Sequence, residues 1–200
     1  MNIYKHRVNT INASKKVDFS YVNGVEIDIR FRNNSPVLIH DLPDNNASPC
    51  LLFDFLASIP PTSLILNFKE TGFELSLINE ICNLGFKPLL LDLPFPFFFQ
   101  AHQAGFGKYL MWRVSEYERP DASLITSFDS KWIWLDSFND YWFNAELLLT
   151  YKQKGISICL VSNELQGRSI DNDSASINKL IQKNLIDAVC TKDPFFYKSF

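Results

Sequence analysis

The sequence predicts a single α/β domain over residues 1–200, a small (β/α)8 barrel of the TIM type with reduced outer helices. Eight short apolar runs are rich in β-branched or aromatic residues, and helical patterns lie between most of them. Such alternation is typical of a parallel sheet with helices outside, and a count of eight favours closure into a barrel. Because 200 residues lie near the lower size limit of this fold, we expect some outer helices to be short or missing.

The predicted barrel strands span residues 3–7, 25–31, 64–69, 88–93, 109–114, 132–138, 156–162 and 188–192. A ninth apolar run, 37–40, follows the second strand closely. The segment between them, 31–35, is too short for a helix and rich in turn formers. We therefore expect a β-hairpin extension after strand 2.

The predicted helices span residues 51–59, 73–84, 96–104, 142–154 and 174–184. Gly85 and Gly155 follow the second and fourth of them, where a left-handed residue commonly ends a helix. The connections after the first and fifth strands are short or weakly patterned, so no helix is predicted there.

The composition excludes some classes of function. The formal net charge is −3, which argues against non-specific nucleic-acid binding through a basic surface. The run 89–99 is too short and too interrupted to span a bilayer, so no transmembrane segment is expected, although peripheral lipid contact through its phenylalanines is an alternative to core packing. The N-terminus has no apolar segment typical of a signal peptide, and we expect a cytoplasmic protein.

Polar residues lie at or just beyond the carboxyl ends of seven of the eight predicted barrel strands. Because barrel enzymes place their chemistry at the carboxyl ends of the strands, this regularity indicates an enzyme. The residues are His6, Arg7, Asn67, Lys69, Asp92, Arg113, Ser115, Asp136, Ser162, Glu164, Lys192 and Asp193.

Glu26 and Asp28 lie two apart in the second strand, so both carboxylates leave the same face. Burying two carboxylates without a partner is costly, and a divalent cation would offset the repulsion. The hairpin folds His40 back beside them, where its imidazole is suited to acid or base work. The alternative is a structural network in which Arg7, Arg30 or Lys69 neutralises the two acids.

The motifs His6-Arg7, Glu26-x-Asp28 and His40-Asp41 together resemble the glycerophosphodiester phosphodiesterase family, which carries H-R-G, E-x-D and H-D in this order. The segment 66–69 resembles the E-x-K strand of that family, and 189–194 resembles its closing T-D-x-P segment. The resemblance is strong over residues 1–41, suggestive at 64–70 and 187–194, and weak between.

The resemblance implies hydrolysis of a glycerophosphodiester, or of a related sugar or lipid phosphodiester, with a divalent cation (Mg2+ or Ca2+). His6 and His40 are the expected acid and base, in either order. Fixed positive charge is needed because a phosphodiester gains negative charge in the transition state. The candidate phosphate-binding residues are Arg7, Lys69, Arg113 and Lys192, and the candidate metal ligands are Glu26, Asp28, Asn67 and Asp92.

Two positions depart from the family pattern. Val8 stands where the family has the glycine of H-R-G, and Asn67 stands where it has the acid of E-x-K. Asn67 offers a carbonyl oxygen to a cation but no charge. Asp92 is the candidate for a third carboxylate, and Glu70 is another if the strand bends after Lys69.

Two other functions remain open at this point. One is a catalytically weakened barrel that binds a phosphorylated metabolite without turnover. The other is a metal-independent lyase, similar to phospholipase C, that releases a cyclic phosphate.

Overall fold

A ten-stranded sheet organises the part of the chain that the computed structural model describes, which is residues 1–42, 48–173 and 176–199. The strands are β1 (Asn2–Lys5), β2 (Gly24–Arg32), β3 (Ser35–Leu38), β4 (Cys50–Leu51), β5 (Ser63–Phe68), β6 (Lys87–Leu91), β7 (Met111–Val114), β8 (Trp132–Leu135), β9 (Ser157–Val161) and β10 (Ala188–Thr191).

Eight of these strands are parallel and form the predicted barrel. The order around it is β1, β2, β5, β6, β7, β8, β9 and β10, and β10 pairs back with β1. Between β6 and β7 the pairing is reduced to one parallel bridge, Leu90 with Leu110. We call this narrow contact the seam. The predicted fold class is therefore confirmed, with one weakly paired side.

The predicted hairpin is confirmed, but its turn is tighter than the sequence indicates. Arg32 pairs with Ser35, which leaves a two-residue turn of Asn33 and Asn34. Both asparagines have positive φ, 50° and 61°, as hairpin turns that match the strand twist require. Because the turn is short, β3 begins before the predicted start of that strand and ends at Leu38, so His40 lies just beyond it.

The helices are short, as the length of the chain predicts. They are α1 (Ile11–Ser14), α2 (Leu52–Ala57), α3 (Glu74–Asn83), α4 (Phe95–Gln103), α5 (Ala122–Ser127), α6 (Ala145–Gln153), α7 (Ser176–Gln182) and α8 (Pro194–Tyr197). Short helices α1 and α5 occupy the two weakly patterned connections, and α8 was not predicted. The predicted start of α7, residues 174–175, lies outside the described residues.

Local capping explains where several helices begin and end. Thr10, Asp121 and Asn144 each accept a backbone N–H with the side chain at the start of α1, α5 and α6. Gly85 and Gly155 have φ of 87° and 71° just after α3 and α6, which confirms the predicted left-handed ends.

Alternate strand residues fill the inside of the barrel. An apolar cluster made of strand residues alone contains Tyr4, Ile65, Leu91, Met111 and Trp134, together with Cys159 and Cys190. The residues between them face outward and pack against the helices in two larger clusters. The carboxylates of Glu26 and Asp28 occupy the inner face of β2 toward its carboxyl end. None of the described helices is long and apolar enough to cross a membrane.

Candidate active site

Glu26 and Asp28 form the centre of a polar cluster at the carboxyl ends of β1, β2 and β5. Their side chains are 0% and 1% exposed. Asp28 is level with Asn67 on the neighbouring strand β5. Two carboxylates this deeply buried need compensation, so their partners define the site.

Glu26 is held by donors from two sides. The backbone N–H of Arg7 donates to Oε2 at 2.7 Å, and Nδ2 of Asn67 donates to Oε1 at 3.1 Å. Nε2 of His6 lies 3.6 Å from Oε2. The sequence predicted that the first strand extends to Arg7. This is wrong: Arg7 has a left-handed φ of 53°, and β1 ends at Lys5. This backbone conformation brings the N–H of Arg7 to the carboxylate.

Asp28 lies between two cationic side chains. Nζ of Lys69 is 3.2 Å from Oδ1, and Nε of Arg7 is 3.7 Å from Oδ2. Arg7 and Lys69 are both predicted to bind phosphate. They contact Asp28 from the solvent-exposed end of the barrel, at the carboxyl ends of the strands, which we call the mouth. The side chain of Arg7 is 45% exposed, which leaves it accessible to a ligand.

Asn9 is a site residue that the sequence did not predict. Its Nδ2 donates to Oδ2 of Asp28 at 2.7 Å, and its Oδ1 accepts the backbone N–H of Asp28 at 2.9 Å. The paired contacts fix the orientation of Asp28. The available sequence signal is weak: Asn9 follows the His6-Arg7 motif by two residues, next to the capping Thr10.

Burial and local charge perturb two groups of the cluster in opposite directions. Burial, assisted by the charge of Arg7, lowers the pKa of His6 from 6.5 to about 3. Burial and the neighbouring Asp28 raise the pKa of Glu26 from 4.5 to about 7. His6 is therefore neutral near pH 7, where Glu26 takes up or releases a proton.

The hairpin places His40 at the same mouth. The backbone N–H of Ile39 donates to the carbonyl oxygen of Asp28 at 3.1 Å, and Nε of Arg30 donates to the carbonyl oxygen of His40 at 3.2 Å. Nδ1 of His40 lies 2.7 Å from Oδ1 of Asp41. The charge of His40 contributes to the low pKa of His6, which places both imidazoles in one electrostatic neighbourhood.

Arg30 of the hairpin pairs with Glu70, which follows β5. Nη1 of Arg30 lies 3.2 Å from Oε1 of Glu70, and Glu70 also accepts the backbone N–H of Phe31 at 3.0 Å. Among the described contacts, neither residue reaches Glu26 or Asp28. Glu70 is thus not brought in as a third carboxylate, and Arg30 does not neutralise the pair.

Lys192 follows β10, which pairs with β1, so it lies beside His6 in an exposed position. Oε1 of Glu164 accepts the hydroxyl of Thr191 at 2.5 Å and the backbone N–H of Lys192 at 2.8 Å. The charge of Lys192 also contributes to the low pKa of His6. Glu164 therefore anchors the segment that carries this cation.

Asp92 and Arg113 form a second cluster, separate from the first in the described contacts. Nε and Nη2 of Arg113 donate to the two carboxylate oxygens of Asp92 at 2.9 Å and 2.7 Å, and Nη1 pairs with Asp136. Gln166 donates to the other oxygen of Asp136 at 2.7 Å. In the described contacts Asp92 and Arg113 pair with each other and not with the first cluster, and their expected roles at a metal and at phosphate stay predictions.

The oxygen atoms in and around the carboxylate pair are of the type that coordinates a hard cation. Oδ1 of Asp28 and Oδ1 of Asn67 are buried and have no hydrogen-bond donor within the described structure, although Lys69 contacts the former as an ion pair. With the carboxylate of Glu26 they form a set of oxygen ligands, the type that Mg2+ and Ca2+ prefer. Within the described ranges, no group of three His, Cys, Asp or Glu residues is placed to hold a metal, and a set of three oxygen ligands here would include Asn67.

The chain is similar in fold to a solved structure. That structure is a glycerophosphodiester phosphodiesterase from Agrobacterium tumefaciens str. C58, with a TM-score of 0.69, 12% sequence identity and complete coverage of both chains. No protein-family model matches the sequence, and no curated protein matches it. The fold implied by the family resemblance is thereby confirmed, and at 12% identity the likeness is one of fold.

Proposed function

We propose that the protein hydrolyses a small phosphodiester of glycerol, a sugar or a lipid, with a divalent cation and two histidines. The observation that carries the proposal is the meeting of two buried carboxylates, His6, Arg7 and Lys69 at the carboxyl ends of three neighbouring barrel strands. The fold similarity to a glycerophosphodiester phosphodiesterase supports it.

Arg7 and Lys69 supply fixed positive charge for the phosphate. The guanidinium of Arg7 can donate two parallel hydrogen bonds to phosphate oxygens, and the ammonium of Lys69 acts as a point charge. Both side chains are held in place by Asp28. Negative charge that develops on the phosphoryl oxygens therefore meets donors that need little reorganisation.

A Mg2+ or Ca2+ ion would be held by oxygens of Glu26, Asp28 and Asn67, and when bound it would polarise a phosphoryl oxygen. Two buried oxygens support this assignment: Oδ1 of Asn67 has no hydrogen-bond donor in the described structure, and Oδ1 of Asp28 has only the ion pair with Lys69. Each oxygen of Glu26 already accepts one hydrogen bond, but a carboxylate oxygen has a second lone pair.

The two imidazoles differ in their surroundings. Because His6 has a pKa of about 3, it is neutral near pH 7, so one ring nitrogen carries a free lone pair and the ring has no extra proton to give as an acid. Nδ1 of His40 lies 2.7 Å from Oδ1 of Asp41, so this carboxylate orients the imidazole through Nδ1 and leaves Nε2 to face a substrate. We assign His6 as the base that activates the attacking group and His40 as the acid that protonates the leaving alkoxide.

The test is a hydrolysis assay on a panel of glycerophosphodiesters, with and without EDTA. His6→Ala and His40→Ala should each lower kcat by about 100-fold or more. The matched control is His102→Ala, since His102 is the third histidine of the chain and contacts Asp129 on the outside of the barrel. Activity that survives both EDTA and His40→Ala would contradict the proposal.

A second candidate is a barrel that binds a phosphorylated metabolite without turnover. Asn67 donates its amide to Glu26, and Lys69 faces Asp28, so the carboxylate pair is partly compensated by the chain itself. Glycerol 3-phosphate should then raise the melting temperature while no diester is consumed. Turnover that depends on His6 would exclude this candidate, and phosphorus NMR of the products would separate hydrolysis from release of a cyclic phosphate.

A further inference from the structure

A cavity of about 820 Å³ lies at the end of the barrel opposite the candidate active site. It is lined at the amino-terminal ends of the strands by residues that include Asn2 and Tyr4 of β1, Ser63 of β5, Lys87 of β6 and Trp132 of β8. Its volume falls in the range of cavities that hold small molecules. None of the residues assigned to phosphodiester hydrolysis lines it, so it does not depend on the proposed function.

The cavity is placed at the seam. Its lining comes from both sides, with Lys87 and Leu89 of β6 on one and Lys108, Tyr109 and Trp132 on the other. The strands there are joined by the one bridge between Leu90 and Leu110, and thus do not close over the space. A ligand in the cavity would contact both edges.

The charge of the lining has one sign. The described lining contains Lys87 and Lys108 and no Asp or Glu, in a chain whose net charge is −3. Within the described structure, no ion pair includes Lys87 or Lys108, and both lysines are exposed. Two cations without an acidic partner at one cavity favour an anionic ligand.

Aromatic rings line the same space. Tyr109 and Trp132 are partly exposed, and Nζ of Lys108 lies 4.9 Å from the centroid of the Tyr109 ring. The phenol of Tyr4 is buried, which raises its pKa to about 12, and its oxygen is 2.9 Å from Oγ of Ser63. The buried part of the lining, with Tyr4 and Ser63, is therefore uncharged and hydrogen-bonded. The charged groups, Lys87 and Lys108, are at the exposed entrance, close to the aromatic rings.

We propose that this cavity is a second binding site, for a small flat anion: an aromatic or heteroaromatic ring that carries a phosphate, sulfonate or carboxylate. The ring stacks against Tyr109 and Trp132, and the anionic group meets Lys87 and Lys108 at the entrance. Because the occupant contacts both β6 and β8, it holds the two sides of the seam together.

The test uses 8-anilinonaphthalene-1-sulfonate, an aromatic sulfonate whose fluorescence rises on binding, as the probe on the full chain. The double variant Lys87→Glu/Lys108→Glu should bind the probe more weakly, with a dissociation constant raised at least about tenfold. Lys15→Glu/Lys16→Glu is the matched control, since it changes the net charge equally at two exposed lysines outside the cavity, and it should change the constant less than about twofold. Far-UV circular dichroism checks that each variant is folded.

Trp132→Leu tests the stacking contact separately from the charge contact. If charge reversal prevents folding, Lys87→Gln/Lys108→Gln replaces it as the test of the two lysines. Weakened binding in Trp132→Leu and in the lysine variants supports the proposal. Absence of saturable binding to the natural chain overturns it, as does an equal loss in the two double variants. Phe95 lines a different cavity, beside Asp92 and Arg113. Binding that depends on Phe95 and is indifferent to Lys87 and Lys108 also overturns the proposal, because the probe would then occupy that other cavity.

Discussion

The ammonium of Lys69 lies 3.2 Å from Oδ1 of Asp28, a carboxylate that is 1% exposed. Removing one partner of a buried pair leaves the other charge without compensation. We expect Lys69→Met to lower the free energy of unfolding by about 3 kcal/mol. Urea denaturation measures this change, and Lys15→Met, at an exposed lysine, is the control.

The double variant Asp28→Asn/Lys69→Met tests whether the two charges act as a pair. It should be more stable than the sum of the single variants implies, with a coupling energy of about 2 kcal/mol. Additive single effects would mean that Arg7, at 3.7 Å from Oδ2, compensates Asp28 alone.

The pH dependence of stability should contain two opposing slopes. The unfolded chain protonates His6 below about pH 6.5, whereas the folded chain does so only near 3, so His6 lowers stability as the pH falls through this range. The folded chain keeps a proton on Glu26 up to about pH 7 that the unfolded chain releases above 4.5, so Glu26 lowers stability as the pH rises from 4.5 to 7.

Glu26→Gln should remove the second slope and leave the first. Relative to the natural chain, its free energy of unfolding should therefore increase with pH between 4.5 and 7, by up to about 1.4 kcal/mol per pH unit for one proton. Denaturant titrations across this range measure the difference. Glu80→Gln, at an exposed carboxylate of α3, should run parallel to the natural chain, and a parallel result for Glu26→Gln would refute the assignment.

Asn9 should matter more than its position in a loop indicates. Asn9→Ala leaves the backbone N–H and one carboxylate oxygen of Asp28 without their partner, which costs about 2 kcal/mol. Because Asp28 also loses its orientation, phosphodiesterase activity should fall with stability. Asn12→Ala, at an exposed asparagine of α1, is the matched control, and equal behaviour of the two variants would remove Asn9 from the site.

Arg113 should behave as a structural cation. Arg113→Met leaves Asp92 and the buried Asp136 without their shared partner, so the free energy of unfolding should drop by about 3 kcal/mol. Arg119→Met is the control, since its guanidinium lies 4.5 Å from the ring of Trp142 and is exposed, with an expected cost of about 0.5–1 kcal/mol. Weaker phosphate binding by Arg113→Met at unchanged stability would contradict the structural role and support the predicted role of Arg113 at phosphate.

The sequence predicts those parts of the molecule that follow from periodicity and strand order. Glu26 and Asp28 share a face because they are two apart, and Asn67 and Lys69 reach them because β5 pairs beside β2. Both inferences need only the alternation of a strand and the barrel topology.

The rest depends on geometry that no periodic pattern carries. The left-handed φ of Arg7 ends β1 early, although arginine has no preference for that conformation. Asp92 and Arg113 were both placed correctly after or on their strands, but strand order alone does not say that they pair across the weakest side of the barrel. Trp134 lies inside the barrel because its position in the alternation of β8 points inward, which the apolar run alone does not reveal.

The narrow contact between β6 and β7 also determines how the fold can be divided. A cut at the exposed Gly105 would separate two fragments with four barrel strands each, β1, β2, β5 and β6 in one and β7 to β10 in the other. Each fragment keeps its internal parallel pairing, and the pairing of β1 with β10 joins them along one long edge. The barrel therefore has one side, between β6 and β7, that is held by a single bridge. New termini or an inserted segment at residue 105 would fall at that side and would interrupt none of the longer strand pairings.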